Sequence, residues 1–135
     1  VDEKGNRCSE ISDNYKNWLL KQNKYKLLQA TNYLFQPSVF IRKQCFNKYG
    51  PHVGEGKYVM EYDMWLRIGQ KEMPEIVSDV ISMFRLTREG ASINEFKQIL
   101  KADEKILEKK SNDYFINTIH YIHNIVRIMI SYFYK

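Results

Sequence analysis

The sequence predicts an α+β domain in which short strands come first and two helices follow at the C-terminal end. Three observations predict this class. The chain of 135 residues is 44% hydrophobic and 27% charged, which suits one globular domain rather than disorder. Runs rich in Val, Ile and Phe occur at 38–41 and 72–86, and these residues favour pleated surfaces. From Ile93 onwards, apolar residues recur at helical spacing.

The N-terminal part predicts a helix followed by an extended segment. Residues 1–10 are polar and turn-like, and 12–29 mix aromatic and leucine side chains with lysines, which indicates helix over part of that stretch. Pro37 excludes a helix running through 30–43 and biases Gln36 towards extended geometry. Residues 38–41 then continue as a strand.

The middle of the chain predicts two more helices and two more strands. A short helix over 43–50 ends at Gly50, with Pro51 directly after it. A loop over 51–58 leads to a helix from about Val59 to Gln70. Two short strands follow within 72–86, and 87–92 form a turn.

The C-terminal end predicts two helices. The polar run Ser111-Asn112-Asp113 separates them and caps the second. The last helix, from Asp113 to Tyr134, has a narrow polar strip beside a wide apolar arc. The strip consists of Asn117, His120, Asn124, Arg127 and Ser131, and the arc of Phe115, Ile119, Tyr121, Ile122, Ile125, Val126, Ile128, Met129, Tyr132 and Phe133. Polar residues interrupt the helix too often for a membrane span. The arc predicts burial against the core or a partner, or an interfacial membrane helix.

The charge balance allows several kinds of partner. The net charge is +5 and the pI is about 9.1, which suits nucleic acid, an anionic membrane surface or a phosphate-bearing ligand. The two cysteines, Cys8 and Cys45, lack paired spacing and are interpreted as reduced thiols of a cytosolic protein. A start at Val1 in a polar run is typical of a processed product or an excised piece of a longer protein.

Two carboxylates in "YVMEYDMWLRIGQ" are the candidates for chemistry. Asp63 precedes Arg67 by four positions, the favourable order for a helical ion pair. Glu61 has no cation three or four positions after it. It falls in the first helical turn, where free N–H groups keep a carboxylate ionised. Glu61 is therefore a candidate general base, and a solvated charge is the alternative.

Four segments, taken in order, resemble the second half of an inverting family 2 glycosyltransferase with the GT-A fold. They are "VDEKGN", "NYLFQPSVFIRKQCFNKYG", "GKYVMEYDMWLRI" and "VISMFRLTREGAS". The resemblance covers roughly 1–93 and implies the acceptor-side part of a GT-A catalytic domain, with 94–135 as a helical extension. The implied activity is transfer of a sugar from a nucleotide-sugar donor to a glycan or lipid-linked acceptor with inversion.

The resemblance also implies roles for individual residues. Counting back from Arg67, the family's catalytic acid falls on Glu61, where the family usually has Asp, and Asp63 is the reserve. The substrate-binding candidates are Gln36 near the acceptor pocket, Trp65 (for which core packing is an equal interpretation), Arg67, and Arg85 for the donor diphosphate.

The missing parts of the family pattern set further expectations. The chain contains no D-x-D, so Mn²⁺ or Mg²⁺ would be bound mainly by an N-terminal half, and this chain alone would bind no cofactor and have no activity. The expected location is cytoplasmic or peripheral on the inner face of the membrane, with 113–134 as a membrane-surface or homo-oligomer contact.

The alternative function is a small basic binding module without catalysis, for nucleic acid or a protein partner. Its basic and aromatic side chains would be Lys21, Lys24, Lys26, Arg42, Lys43 and Lys48, with Tyr25 and Tyr49. No RNA-binding or zinc-finger pattern accompanies them, which disfavours nucleic acid.

Overall fold

The computed structural model of the chain describes residues 1–50, 60–87 and 89–132. These residues contain seven α-helices and one short 3₁₀ turn at Gln36–Ser38. The helices are α1 (Glu10–Gln22), α2 (Tyr25–Ala30), α3 (Lys43–Tyr49), α4 (Met60–Gly69), α5 (Ala91–Asn94), α6 (Phe96–Lys110) and α7 (Tyr114–Tyr132). The predicted loop over 51–58, together with Val59, lies outside the described residues.

The predicted α+β class is wrong, because the structure is 62% helix and the described residues form no sheet. The β-favouring runs are present but lack neighbouring strands, and β-propensity acts only through such pairing. Gln36 and Ser38 lie in the 3₁₀ turn rather than in a strand. Among the described residues, the backbone of the run 72–86 bonds to Val1, through Phe84 and Leu86, and to Ile68, through the Glu72 N–H.

Helix α4 lies at the centre of the core. Its five consecutive residues 62–66 are all buried, and all but Asp63 are apolar or aromatic, so the helix is covered on nearly all sides. Leu19 of α1, Leu28 of α2 and Leu107 of α6 pack in the same core. At Gly69 an added Cβ would lie 3.2 Å from Tyr25 and 3.3 Å from Leu28, so the absent side chain lets α2 approach closely.

A hydrogen-bonded junction joins α2, α4 and α7. The hydroxyl of Tyr62 lies 3.1 Å from the carbonyls of both Leu28 and Gln29, to which it donates. His120 Nδ1 lies 2.8 Å from the same Gln29 carbonyl, and the His120 ring stacks on Tyr62 at 5.9 Å. These two side chains satisfy carbonyls at the end of α2 that the helix itself leaves without partners.

Helix α7 turns its polar strip inwards, opposite to what its hydropathy indicates. Its buried residues are Ile116, His120 and Asn124, whereas Phe115 is 73% and Met129 58% exposed. The core therefore does not bury the apolar arc. Some of the inward polar atoms have partners: Asn124 Nδ2 lies 3.3 Å from the Leu100 carbonyl and 3.2 Å from Glu104 Oε1. Others, such as Asn124 Oδ1 and His120 Nε2, are buried with no hydrogen-bond partner among the described residues.

Two predicted helix boundaries are confirmed. Helix α3 ends at Gly50, which has a φ of +81° that glycine adopts without strain. Asp113 caps α7, accepting from the N–H groups of Phe115 and Ile116 at 3.1 and 3.2 Å. The predicted end of the last helix at Tyr134 lies outside the described residues.

Candidate functional site

The first turn of α4 carries two acids with different surroundings. Asp63 is buried, and its Oδ2 accepts from Arg67 Nε at 2.8 Å, as the four-residue spacing predicts. Its Oδ1 pairs with Lys110 Nζ at 3.0 Å, from the end of α6. Both oxygens of Asp63 are therefore already bound to cations.

The charge state of Asp63 follows from these contacts. Burial by itself raises the pKa of the carboxyl, but hydrogen bonds from Lys110 and Arg67 outweigh it and lower the pKa below its ordinary 3.8. Arg67 also donates to the Tyr49 carbonyl at the end of α3. Asp63 and Arg67 thus join α3, α4 and α6.

Glu61 lies one residue after the start of α4 and is half-buried. No hydrogen bond or ion pair joins its carboxylate to another of the described side chains. Its charge is close enough to Asp103 to raise the pKa of that residue. None of the described side chains therefore competes for the oxygens of Glu61.

Asp103 of α6 is a buried acid that the sequence interpretation missed. Its surroundings include a hydrogen bond from Asn32 and the charge of Arg127. Burial nevertheless raises its pKa to about 7, against the lowering effects of Arg127 and Asn32. The sequence feature that could have identified Asp103 is its spacing. It is three residues after Leu100 and four before Leu107, so it lies on the buried face of α6.

The remaining site candidates divide between core and surface. Trp65 packs in the core, and its Nε1 has no hydrogen-bond partner among the described residues. Gln36, in the 3₁₀ turn, and Arg85, near the end of the 72–86 run, are exposed. The structure thus brings Glu61, Asp63 and Arg67 together on one helix and holds Trp65 inside as packing.

Within 1–50, 60–87 and 89–132, no three His, Cys, Asp or Glu side chains come together as a metal site. Over the same ranges, no helix combines the length and hydropathy needed to cross a bilayer.

The six cations of the predicted basic surface are all exposed. Lys48 Nζ lies 5.1 Å from the ring centre of Tyr49, a cation–π distance.

Comparisons of the chain with protein-family models, with curated proteins and with solved structures find no match.

Proposed function

We propose that this chain is the acceptor-side part of an inverting glycosyltransferase of the family 2 type, with Glu61 as the general base. The observation that carries the proposal is the contrast between the two acids of α4. Asp63 is bound by two cations, whereas Glu61 has neither a hydrogen bond nor an ion pair to a described side chain. A base needs a carboxylate oxygen that is not already paired with a cation, and of these two acids Glu61 has such oxygens among the described contacts.

The position of Glu61 supports this role. Glu61 lies in the first turn of α4, where a helix has unpaired N–H groups and the positive end of its dipole. An ionised carboxylate can take the proton from an acceptor hydroxyl as that oxygen attacks the sugar carbon and the nucleoside diphosphate leaves. Asp63 accepts a hydrogen bond from Arg67, and Arg67 also donates to the Tyr49 carbonyl, so these contacts join the end of α3 to α4.

Arg85 supports the donor side of the proposal. Its side chain is exposed, and a guanidinium fork matches phosphate oxygens in two parallel hydrogen bonds. Arg67 is less suited to phosphate, because its donors already serve Asp63 and Tyr49. The proposal assigns nucleoside and metal binding to another part of the parent enzyme, which makes this chain inactive by itself.

The test is Glu61→Gln in the parent enzyme, with turnover and donor binding measured separately. Glutamine keeps the shape but cannot accept the proton, so turnover should fall by about a hundredfold or more while donor affinity stays within about twofold. Glu72→Gln, an exposed acid just after α4, is the matched control. Near-normal turnover in Glu61→Gln would remove Glu61 as the base.

A second candidate function is favoured by the exposure of all six basic residues. In that case, the chain would bind an anionic partner through Lys21, Lys24, Lys26, Arg42, Lys43 and Lys48. Affinity for a generic oligonucleotide should then fall steeply as salt rises, because bound counterions are released. A glycosyltransferase part should show no such binding.

A further inference from the structure

Two hydrogen bonds at the start of the chain have the pattern of a parallel β-ladder. The nitrogen of Val1 donates to the Phe84 carbonyl at 2.7 Å, and the Val1 carbonyl accepts from the Leu86 N–H at 2.8 Å. In a parallel pair of strands, a residue bonds to the two residues on either side of the one that lies opposite it. Val1 therefore lies opposite Arg85, and the two backbones run in the same direction.

The ladder stops at Val1 because the chain turns there. The Asp2 carboxylate accepts from the N–H groups of Lys4 and Asn6 at 2.9 and 2.7 Å, and the Asp2 N–H donates to the Asn6 carbonyl. These bonds close a tight loop directly after Val1. The pairing can therefore continue only on the N-terminal side of Val1.

The opposing backbone carries free groups in the correct register. On an extended chain, the backbone N–H and carbonyl groups of residues two apart point to the same side. Counting back from Phe84, the next groups on the side that faces Val1 therefore belong to Ser82 and Val80. Within the described ranges, backbone hydrogen bonds reach neither the N–H of Ser82 and Phe84 nor the carbonyls of Val80 and Ser82. The chain bends at Asp79, which sets the far end of this edge at Val80.

Both faces of this edge carry apolar side chains, with Ser82 and Arg85 as the polar positions. Val80 is 86% and Met83 74% exposed, and Ile81 is also exposed. Phe84 contacts the Phe35 ring edge-on at 6.0 Å. Strands of parallel sheets are buried on both faces and have such continuous apolar runs. An unpaired apolar edge of this kind is a template for strand addition.

We infer that residues 80–86 bind a parallel β-strand formed by the residues that precede Val1 in the parent protein. This inference rests on the proposed function only for the existence of that parent. The incoming strand would pair in the register that Val1 already shows. Its alternate N–H groups would donate to the Ser82 and Val80 carbonyls, and its carbonyls would accept from Phe84 and Ser82.

The experiment adds Lys-Val-Thr-Val-Thr directly before Val1 of this chain and measures amide hydrogen exchange by NMR. The amides of Ser82 and Phe84 should slow by about tenfold or more relative to the chain without the extension, because they acquire ladder partners. The amides of Ile81 and Met83 point to the other edge and should not change. Uniform slowing of all four, or slowing of none, would overturn the inference.

Proline provides the matched controls, because it lacks the N–H group. Prolines at the second and fourth positions before Val1 remove the inward donors and should abolish the protection. Prolines at the first and third positions remove only outward donors and should leave it. Equal protection in both variants would also overturn the inference. Exchange is read without donor or acceptor substrates, so failure here is distinct from failure of the transferase proposal.

Discussion

At the residue scale, the surroundings of two buried carboxylates shift their pKa values in opposite directions. Asp63 has two cations on its oxygens, which lower its pKa despite burial. Asp103 is more deeply buried, and burial raises its pKa to about 7 although Arg127 lies near. The number of direct charged partners therefore decides which buried acid stays ionised.

We expect Asp63→Asn to destabilise the fold by about 2 kcal/mol at pH 7, because it leaves two cations without their carboxylate. The folded pKa of Asp63 lies below the unfolded value of 3.8. Its contribution is therefore complete above pH 3.8 and is lost as the pH falls through the folded pKa. Urea unfolding of the parent and of Asp63→Asn at pH 7 measures the loss of stability, and the same comparison at pH 3 measures how that loss depends on pH. Equal loss in Asp63→Asn at the two pH values would contradict the pairing.

Asp103 should show the opposite pH dependence. Its folded pKa of about 7 exceeds the ordinary 3.8, so its contribution to stability is complete below pH 3.8 and is lost as the pH rises towards 7. Asp103→Asn removes this titration, so the stability of the parent relative to the variant should fall over that range by on the order of 1.4 kcal/mol per pH unit. Urea titrations at pH 5, 6 and 7 compare the two chains. Parallel curves would exclude Asp103 as the titrating group.

The sequence could predict the Asp63–Arg67 pair because both residues lie on one helix at a fixed spacing. It could not predict Lys110, which reaches Asp63 only once α6 has packed on α4. Asp103 was missed because a single acid within an apolar face does not alter the helical pattern. Its burial depends on what packs against that face.

At the element scale, local signals predicted helix ends better than helix faces. Gly50 and Asp113 act through their own backbone neighbourhoods, so their effects can be predicted from sequence. The strands at 38–41 and 72–86 failed because they need partners elsewhere in the chain. For α7, only the interpretation that the core buries its apolar arc was wrong, because His120 and Asn124 find buried carbonyl partners that the sequence does not show.

The exposed arc of α7 leads to a prediction about membranes. If it is an interfacial helix, replacing Ile122 and Val126 by Gln should reduce co-sedimentation with liposomes at least severalfold, because apolar area drives such binding. Both residues are exposed, so stability should change by less than about 0.5 kcal/mol each. Ile116→Ala is the control, since it lies on the buried face and should lower stability without affecting binding. Unchanged liposome binding in the Gln variant would favour an oligomer contact instead.

At the scale of the whole molecule, the fold is organised around one enclosed helix. Helix α4 contacts α2, α3 and α6, and α7 closes over α2 and α6. The Tyr62–His120 junction joins the first and last parts of the chain through the end of α2. The overall arrangement could not be predicted from sequence, because such contacts join residues that are far apart along the chain.

A double-mutant cycle tests whether this junction acts as a unit. Tyr62→Phe and His120→Leu should each cost about 1–3 kcal/mol, because each leaves the Gln29 carbonyl with one donor fewer. The two losses should be non-additive by about 1 kcal/mol, as expected for stacked groups that share a partner. Tyr62→Phe combined with Ile130→Ala, an exposed site on the same helix, is the additive control. Additivity in both pairs would mean that the junction is not coupled.

The inverted orientation of α7 has a consequence for handling and engineering the protein. The polar residues that specify how the helix docks are inside, whereas the apolar residues that govern solubility are outside. These two properties therefore depend on different residues of the same helix. A surface redesign that replaces the outer apolar side chains should improve behaviour at high concentration without touching the contacts that define the fold.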